Sequence, residues 1–325
     1  MNTLRSILAC AAGCVAAIAT AFPAMAADAQ IPPAALQHLK AARHVVEEGR
    51  ALMYGPLIMC YPEQNRSTQQ ILKIPPPKQV FDNLYFVGMG EVSAWVVKTS
   101  EGSILIDTLD NPDEARQYIL GGMATLGLDP ADIKYIVISH GHGDHYGGAK
   151  YLQDKLPGAK VVMSAVDYDL AEEAAKGPRS RGIPAPRRDI VATDGQKLKL
   201  GDTTLSLYIT PGHSPGTLSM LLTVKDHGVP HTLAMWGGSA SNFLNAEFHA
   251  KYDQSIKRFR TIARDARVDG IFATHPPLDD SANKIELMAE DPKRPNPYLI
   301  GGDEVDVNYR LFEECNLYHA ALFGK

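Results

Sequence analysis

The sequence predicts an α/β protein in which mixed β-sheets are sandwiched between helices. Three observations carry that class. Short β-rich runs crowd the middle of the 325-residue chain, helical stretches alternate with apolar strands in its second third, and 45% hydrophobic content supplies one large core. Charged residues make up 21%, the net charge is -5, and no low-complexity tract interrupts the pattern, so the chain reads as folded.

The chain opens with MNTLRSILACAAGCVAAIATAFPAMAADAQ, where Arg5 precedes an apolar run from Ile7 to Phe22 that ends in Ala24-Met25-Ala26. This is the pattern of a secretory signal cleaved after Ala26, because the run is short for a membrane span and no stop-transfer charges follow. The mature protein is therefore expected in the periplasm or outside the cell. Arg5 leaves with the signal, so 31 basic residues face 37 acidic ones and the charge becomes -6. That balance speaks against nucleic acid or an anionic membrane as a partner, and no further membrane span is expected. Cys10 and Cys14 also leave, and Cys60 and Cys315 remain near opposite ends. In an oxidising compartment such a couple either pairs and ties the ends together or stays as two buried thiols. The sequence specifies no oligomeric state.

Residues 27–79 read as a lead and linker: a helix from about Pro33 to Glu48, then irregular chain ending in IPPPK. The core domain is expected over 80–280. It begins with the β-rich runs LYFVG, SAWVVKT and SILIDT. A helix over Asp113 to Leu126 follows, opened by Asn111-Pro112, and then the apolar strand KYIVIS. A short helix over Gly148 to Leu156, the strand KVVMS and a helix over Val166 to Lys176 come next. Four strand-like runs, KLKL, TLSLYIT, TLSMLLTV and TLAMWGG, precede a helix from about Glu247 to Arg267 and a last buried strand, GIFATH. Residues 281–325 form an extension whose terminal helix, near Glu304 to Phe323, is expected to pack on the core.

The chemistry sits where strands stop. In SHGHGDH the strand ends at Ser139, and His140, His142, Asp144 and His145 offer three imidazoles and a carboxylate within six positions. That donor set suits zinc or another borderline divalent ion, and it is too crowded for a single tetrahedral one, which implies two metals side by side. Further ligands should also stand at strand ends beside turns. His213 in YITPGHSPGT and His275 in IFATHPP meet that condition. His38, His44, His249 and His319 fall in expected helices and His227 and His231 flank a turn, so these six are assigned structural roles.

The H-x-H-x-D-H cluster, the later TPGHSPGT and the final ATHP, in that order, resemble the metallo-β-lactamase superfamily. NLYFVG, SAWVVKTSEGSILIDT and DIVATDGQKLKLGDTTLSL resemble its flanking strands, so the resemblance runs from about Val80 to Pro277. It implies an αββα four-layer sandwich with a two-metal site at one edge. Many hydrolases of that superfamily bridge both metals with an aspartate after the strand between the last two histidines. Here that strand end reads TLAMWGGSASNF, with Gly237, Gly238 and Ser239 and no carboxylate. The pattern is similar to the third subclass of class B β-lactamases.

The resemblance implies two Zn2+ per chain, one on His140, His142 and His213, the other on Asp144, His145 and His275. Asp144 would orient a hydroxide shared by the zincs and move its proton, and so is the expected catalytic side chain. Ser239 and Ser241 would hold the carboxylate of a small-molecule substrate. Asp107, at the end of SILIDT, would hold a ligand histidine in its tautomer, although a turn-forming Asp is the bland account. The implied activity is an exported zinc hydrolase that opens the β-lactam amide; the alternative is a dizinc hydrolase of another ester, lactone or amide. The loop KGPRSRGIPAPRRD carries Arg179, Arg181, Arg187 and Arg188, expected to be solvated rather than bound to substrate.

Overall fold

The computed structural model describes residues 32–48, 60, 73–177, 182–242 and 244–323. The signal segment 1–26 and Arg179 and Arg181 lie outside the described residues. Helix α1 (Pro33–Glu48) leads into a first sheet of seven strands: β1 (Lys78–Phe81), β2 (Leu84–Phe86), β3 (Trp95–Thr99), β4 (Gly102–Ile106), β5 (Ile133–Val137), β6 (Lys160–Ser164) and β7 (Ile190–Ala192). They pair in chain order, β1 to β4 antiparallel and β4 to β7 parallel. The parallel half needs crossovers, and helices supply them: α2 (residues 112–125), the short α3 (Gly143–Tyr146) with α4 (Ala149–Lys155), and α5 (Ala165–Lys176). The Asn111 side chain accepts from Glu114 N at 2.9 Å and Pro112 starts α2, as the Asn-Pro pair predicts; within α2, Ala115–Leu120 runs as a π-helix.

The second sheet has the order β12-β11-β10-β9-β8, from β8 (Lys197–Leu200), β9 (Thr203–Ile209), β10 (Leu218–Asp226), β11 (Val229–Met235) and β12 (Gly270–Ile271). It is antiparallel except where β12 joins β11. Strand alternation explains why both faces of each sheet are apolar. Trp95, Val97, Ile104 and Ile106 point between the sheets, against Leu205, Leu207, Met220 and Leu222, while Val96 and Leu105 point outward under α2, α4 and α5. Helix α6 (Ala246–Asp265) and the terminal helix α9 (Gly302–Phe323) cover the other sheet through Tyr252, Phe259, Tyr309 and Phe312. The result is the four-layer αββα sandwich. Each large apolar side chain so buried contributes about 1.5–3 kcal/mol.

Two departures from the sequence reading have physical causes. GIFATH pairs as a strand only over Gly270–Ile271. Beyond Phe272 its backbone is held by side chains and by the other sheet: Ala273 N donates to Asp279 Oδ2 at 3.0 Å, Trp95 Nε1 donates to the Ala273 carbonyl at 2.9 Å, and Ser93 N donates to the Thr274 carbonyl at 2.8 Å. The stretch after residue 281 also runs into the core. It forms α8 (Ser281–Glu290), which follows the short α7 (Pro276–Asp279), and places Ile285 and Tyr298 in the cluster between the sheets. Asn296 Nδ2 donates to the β1 carbonyl of Val80 at 2.7 Å, and α9 carries α1 on its side. No described helix is long and apolar enough to cross a membrane.

Candidate metal centre

Five strand ends open on one edge of the sandwich, and each delivers part of the cluster. Asp107 follows β4, His140 to His145 follow β5, His213 follows β9, Gly237 to Ser241 follow β11 and His275 follows β12. Donor atoms lie within 4.8 Å of one another in two groups, His140/His142/His213 and His140/Asp144/His145. His275 stands beside the second group, its ring centre 5.0 Å from that of His145. The six residues named from the sequence are therefore gathered in one place, with His140 and His145 buried and Asp144 facing the opening.

Backbone carbonyls fix which nitrogen points inward. His140 Nδ1 donates to the Gly237 carbonyl at 2.9 Å, His213 Nδ1 to the Ala240 carbonyl at 2.7 Å and His275 Nδ1 to the Glu91 carbonyl at 2.7 Å. With Nδ1 carrying the proton, Nε2 of each ring presents a bare lone pair. The Nε2 atoms of His140 and His213 then meet at 2.9 Å, lone pair to lone pair. Such a contact is repulsive unless a cation sits against both, so the residues fit a metal.

The charges agree. Burial, reinforced by neighbouring histidines, lowers His140 well below the ordinary imidazole range, and burial likewise lowers His142, His213 and His275. All four stay neutral, the ligating form. His145 differs: burial lowers it, but the carboxylates of Asp144 and Asp107 outweigh that effect and push it up to about 10. Its Nδ1 is 2.8 Å from Asp107 Oδ2 and its Nε2 is 3.2 Å from Asp144 Oδ2. Burial raises Asp144, yet His145 and its fellow histidines win and hold it well below the usual carboxylate range. A proton on His145 thus occupies the position that a cation between two carboxylates would take.

Asp107 is 1% exposed and touches His145. Its other bonds, from Ser139 N at 2.7 Å and Ser139 Oγ at 2.8 Å, fix the carboxylate at a left-handed backbone position, φ 58°, which Asp tolerates better than most residues.

The absent carboxylate at Gly238 has a steric cause. A Cβ there would lie 2.5 Å from His213 Cδ2 and 2.6 Å from its Cβ, so no side chain fits beside that ring. Ser239 is buried at the same strand end, and its carbonyl accepts from Tyr252 Oη at 2.8 Å. Ser241 is not open to a substrate as the resemblance implied: it is 2% exposed, with Oγ 2.8 Å from Nδ1 of His319 on α9. His319 and His249, assigned structural roles, belong to this buried polar patch, where Asn316 Oδ1 lies 2.8 Å from His249 Nδ1. Cys60 and Cys315 meet there too, at disulfide distance, with Cα atoms 4.8 Å apart. Arg187 and Arg188 are engaged in ion pairs, with Asp189 and with Asp169 and Glu172.

Sequence reasoning passed over Asp167. The signal available was Ser164-Ala165-Val166-Asp167, a capping-box pattern at the start of α5, and Asp167 N does donate to Ser164 Oγ at 3.3 Å. Its carboxylate turns the other way, to the loops of His140 and His213. Tyr146, beside His145, belongs to the core under the helices and is 2% exposed.

A two-sheet sandwich with helices outside and a histidine-rich cluster at the strand ends defines a class of metal-binding folds. The family model of the Metallo-beta-lactamase superfamily matches residues 87–229 of the chain. A subclass B3 metallo-beta-lactamase of Bradyrhizobium japonicum is similar in structure, with a TM-score of 0.64 and 29% identity over 74% of this chain and 92% of that one. An N-acyl homoserine lactonase of Azorhizobium caulinodans is 30% identical over 154 residues, 42% of this chain and 56% of that protein. A human metallo-beta-lactamase domain-containing protein is 33% identical over 126 residues, 39% of this chain and 40% of that protein. The chain thus spans about half the length of these two curated relatives.

Proposed function

We propose that the protein is an exported zinc hydrolase, and that its substrate is a small molecule whose cyclic amide, of the β-lactam type, is opened by water. The observation that carries the reading is the meeting of His140 and His213 Nε2 atoms at 2.9 Å with both Nδ1 protons engaged elsewhere. His140, His142 and His213 would hold one zinc, and Asp144, His145 and His275 a second. When bound, zinc supplies Lewis acidity and brings the pKa of a water towards 7.

This chain's residues do the rest. The carbonyls of Gly237, Ala240 and Glu91 lock three tautomers, and Asp107 locks His145. Asp144, partly open to the mouth, accepts the proton of the attacking water and hands it towards the departing amide nitrogen. Gly238 leaves no room for a carboxylate beside His213, although many members of the third β-lactamase subclass have aspartate at that position. The likeness to the Bradyrhizobium enzyme supports the same reading.

A second reading, hydrolysis of a lactone, another ester or another amide, is favoured by the engagement of Ser241 with His319, which removes one of the two expected carboxylate-holding hydroxyls. The likeness to a lactonase points the same way. One experiment separates them: purified, zinc-loaded protein is given a chromogenic cephalosporin and, in parallel, acyl homoserine lactones and aryl esters, each with chelator and after zinc is restored. Chelator-sensitive cephalosporin turnover is expected. Turnover of lactones or esters alone would replace the first reading by the second, and no metal-dependent turnover of any substrate would overturn both.

A further inference from the structure

We propose that Asp167 is a positioning residue that latches the two loops carrying the three-histidine group and so sets its metal affinity. The inference rests on the reading that His140, His142 and His213 hold a metal. Asp167 is fully buried. Its Oδ2 accepts from Gly141 N at 2.9 Å, between His140 and His142, and from Ser214 Oγ at 2.6 Å, next to His213. Its Oδ1 accepts from Gly216 N at 2.8 Å, three residues beyond His213. One carboxylate thus binds both loops, and two of its three donors are backbone groups whose positions fix where the flanking imidazoles stand.

The contact is close on both sides. A Cβ on Gly141 would lie 2.8 Å from the Asp167 carbonyl oxygen, and one on Gly216 would lie 2.9 Å from Asp167 Oδ1. Neither loop can approach α5 this closely with a side chain in the way. A capping box at the start of α5 would pair the Asp167 amide with Ser164 Oγ, as here, and turn the Asp167 carboxylate back to the Ser164 amide. Here the carboxylate points inward, and its donors come from the loops after β5 and β9, 26 to 49 residues away in sequence. His140 and His213 hold lone pairs 2.9 Å apart, and besides the Leu218 N to Ser139 carbonyl bond at 2.7 Å it is the Asp167 carboxylate that ties their loops together.

The test is metal binding itself. Zinc is titrated against a chromophoric chelator, and cobalt(II)-substituted protein is followed by its visible spectrum, in the parent, Asp167→Asn and Ser214→Ala. Ser214→Ala removes one of the three donors and keeps the carboxylate, so it decides the matter where Asp167→Asn does not fold. Asp189→Asn serves as control, since Asp189 also accepts from a backbone amide, Val161 N at 3.0 Å, and bonds no ligand loop. The expected result is a 10- to 100-fold loss of affinity at one of the two sites in Asp167→Asn. A smaller loss at the same site is expected in Ser214→Ala, with an altered cobalt spectrum and the other site unchanged. Parent-like affinity and spectrum in both variants would overturn the proposal, as would an equal loss at both sites shared by Asp189→Asn. A parent protein that binds no zinc would instead sink the metal reading on which it rests.

Discussion

Gly238 offers the sharpest test of the centre, because the perturbation is a single methyl group. In Gly238→Ala the new Cβ would lie 2.5, 2.6 and 2.7 Å from three atoms of His213, well inside van der Waals contact. Ordinary contact between carbons begins near 3.5 Å, so the ring must retreat by about 1 Å. It cannot do so freely, since its Nδ1 is held by the Ala240 carbonyl at 2.7 Å in the same loop. Overpacking of this kind costs about 1–3 kcal/mol of stability. A displacement of that size at a reacting centre costs about 100-fold in rate, and displacing a ligand should weaken metal binding at its site by about 10- to 100-fold. The assay is zinc competition together with chelator-reversible turnover of whichever substrate the protein accepts. Gly143→Ala, in the same centre, is the control: its Cβ meets nothing within 4 Å, so affinity and rate should stay near those of the parent. If Gly238→Ala binds two zincs as tightly as the parent and turns over equally fast, the steric account of the missing carboxylate is wrong.

Three further outcomes follow from the same contacts. Asp107→Asn should weaken zinc at the Asp144/His145/His275 group by about 10- to 100-fold, because an amide cannot accept at once from His145 and twice from Ser139; unchanged zinc titration would refute it. Burial, with His249 nearby, lowers His319 to about 4 from 6.5, so its stabilising share is whole above pH 6.5 and is lost as pH falls towards 4, by about 3 kcal/mol. Urea unfolding between pH 7 and pH 4.5 should show that loss in the parent and a flatter profile in His319→Gln; parallel profiles would refute it. Cleaving a Cys60–Cys315 bridge, which would close 255 residues of chain, should cost about 2–5 kcal/mol and lower Tm by several degrees under reductant, whereas an unchanged Tm would argue for two thiols.

What could be read in the sequence follows from range. β3 to β6 and β9 to β11 are long apolar or alternating runs whose pattern is local, and the ligand residues sit at their ends between glycines and prolines. β1 and β7, four and three residues long, hold their places by pairing at the sheet edge rather than by pattern. The candidate metal ligands were legible because few residue types, Cys, His, Asp and Glu, can serve as donors and the motif concentrates four of them. Asp167 and His319 were not, because their partners, Gly141 and Ser241, are 26 and 78 residues away, and a capping Asp or a helical His looks the same whichever way it turns.

The two sources of the site differ in kind. The donors come from strand ends of the sandwich, whose geometry is fixed by pairing and by the core between the sheets, so any occupant meets the same arrangement of lone pairs and carboxylates. Behind them, Ser241 is held by α9 through His319 and the buried patch that includes Asn316 and Cys315, and Ser239 is held by α6 through Tyr252. On the proposed reading, the strand ends would set the chemistry and α9 would bear on which substrate is accepted. Substitutions on α9 should change KM and substrate ranking while leaving zinc content intact, and substitutions at the strand ends should do the reverse.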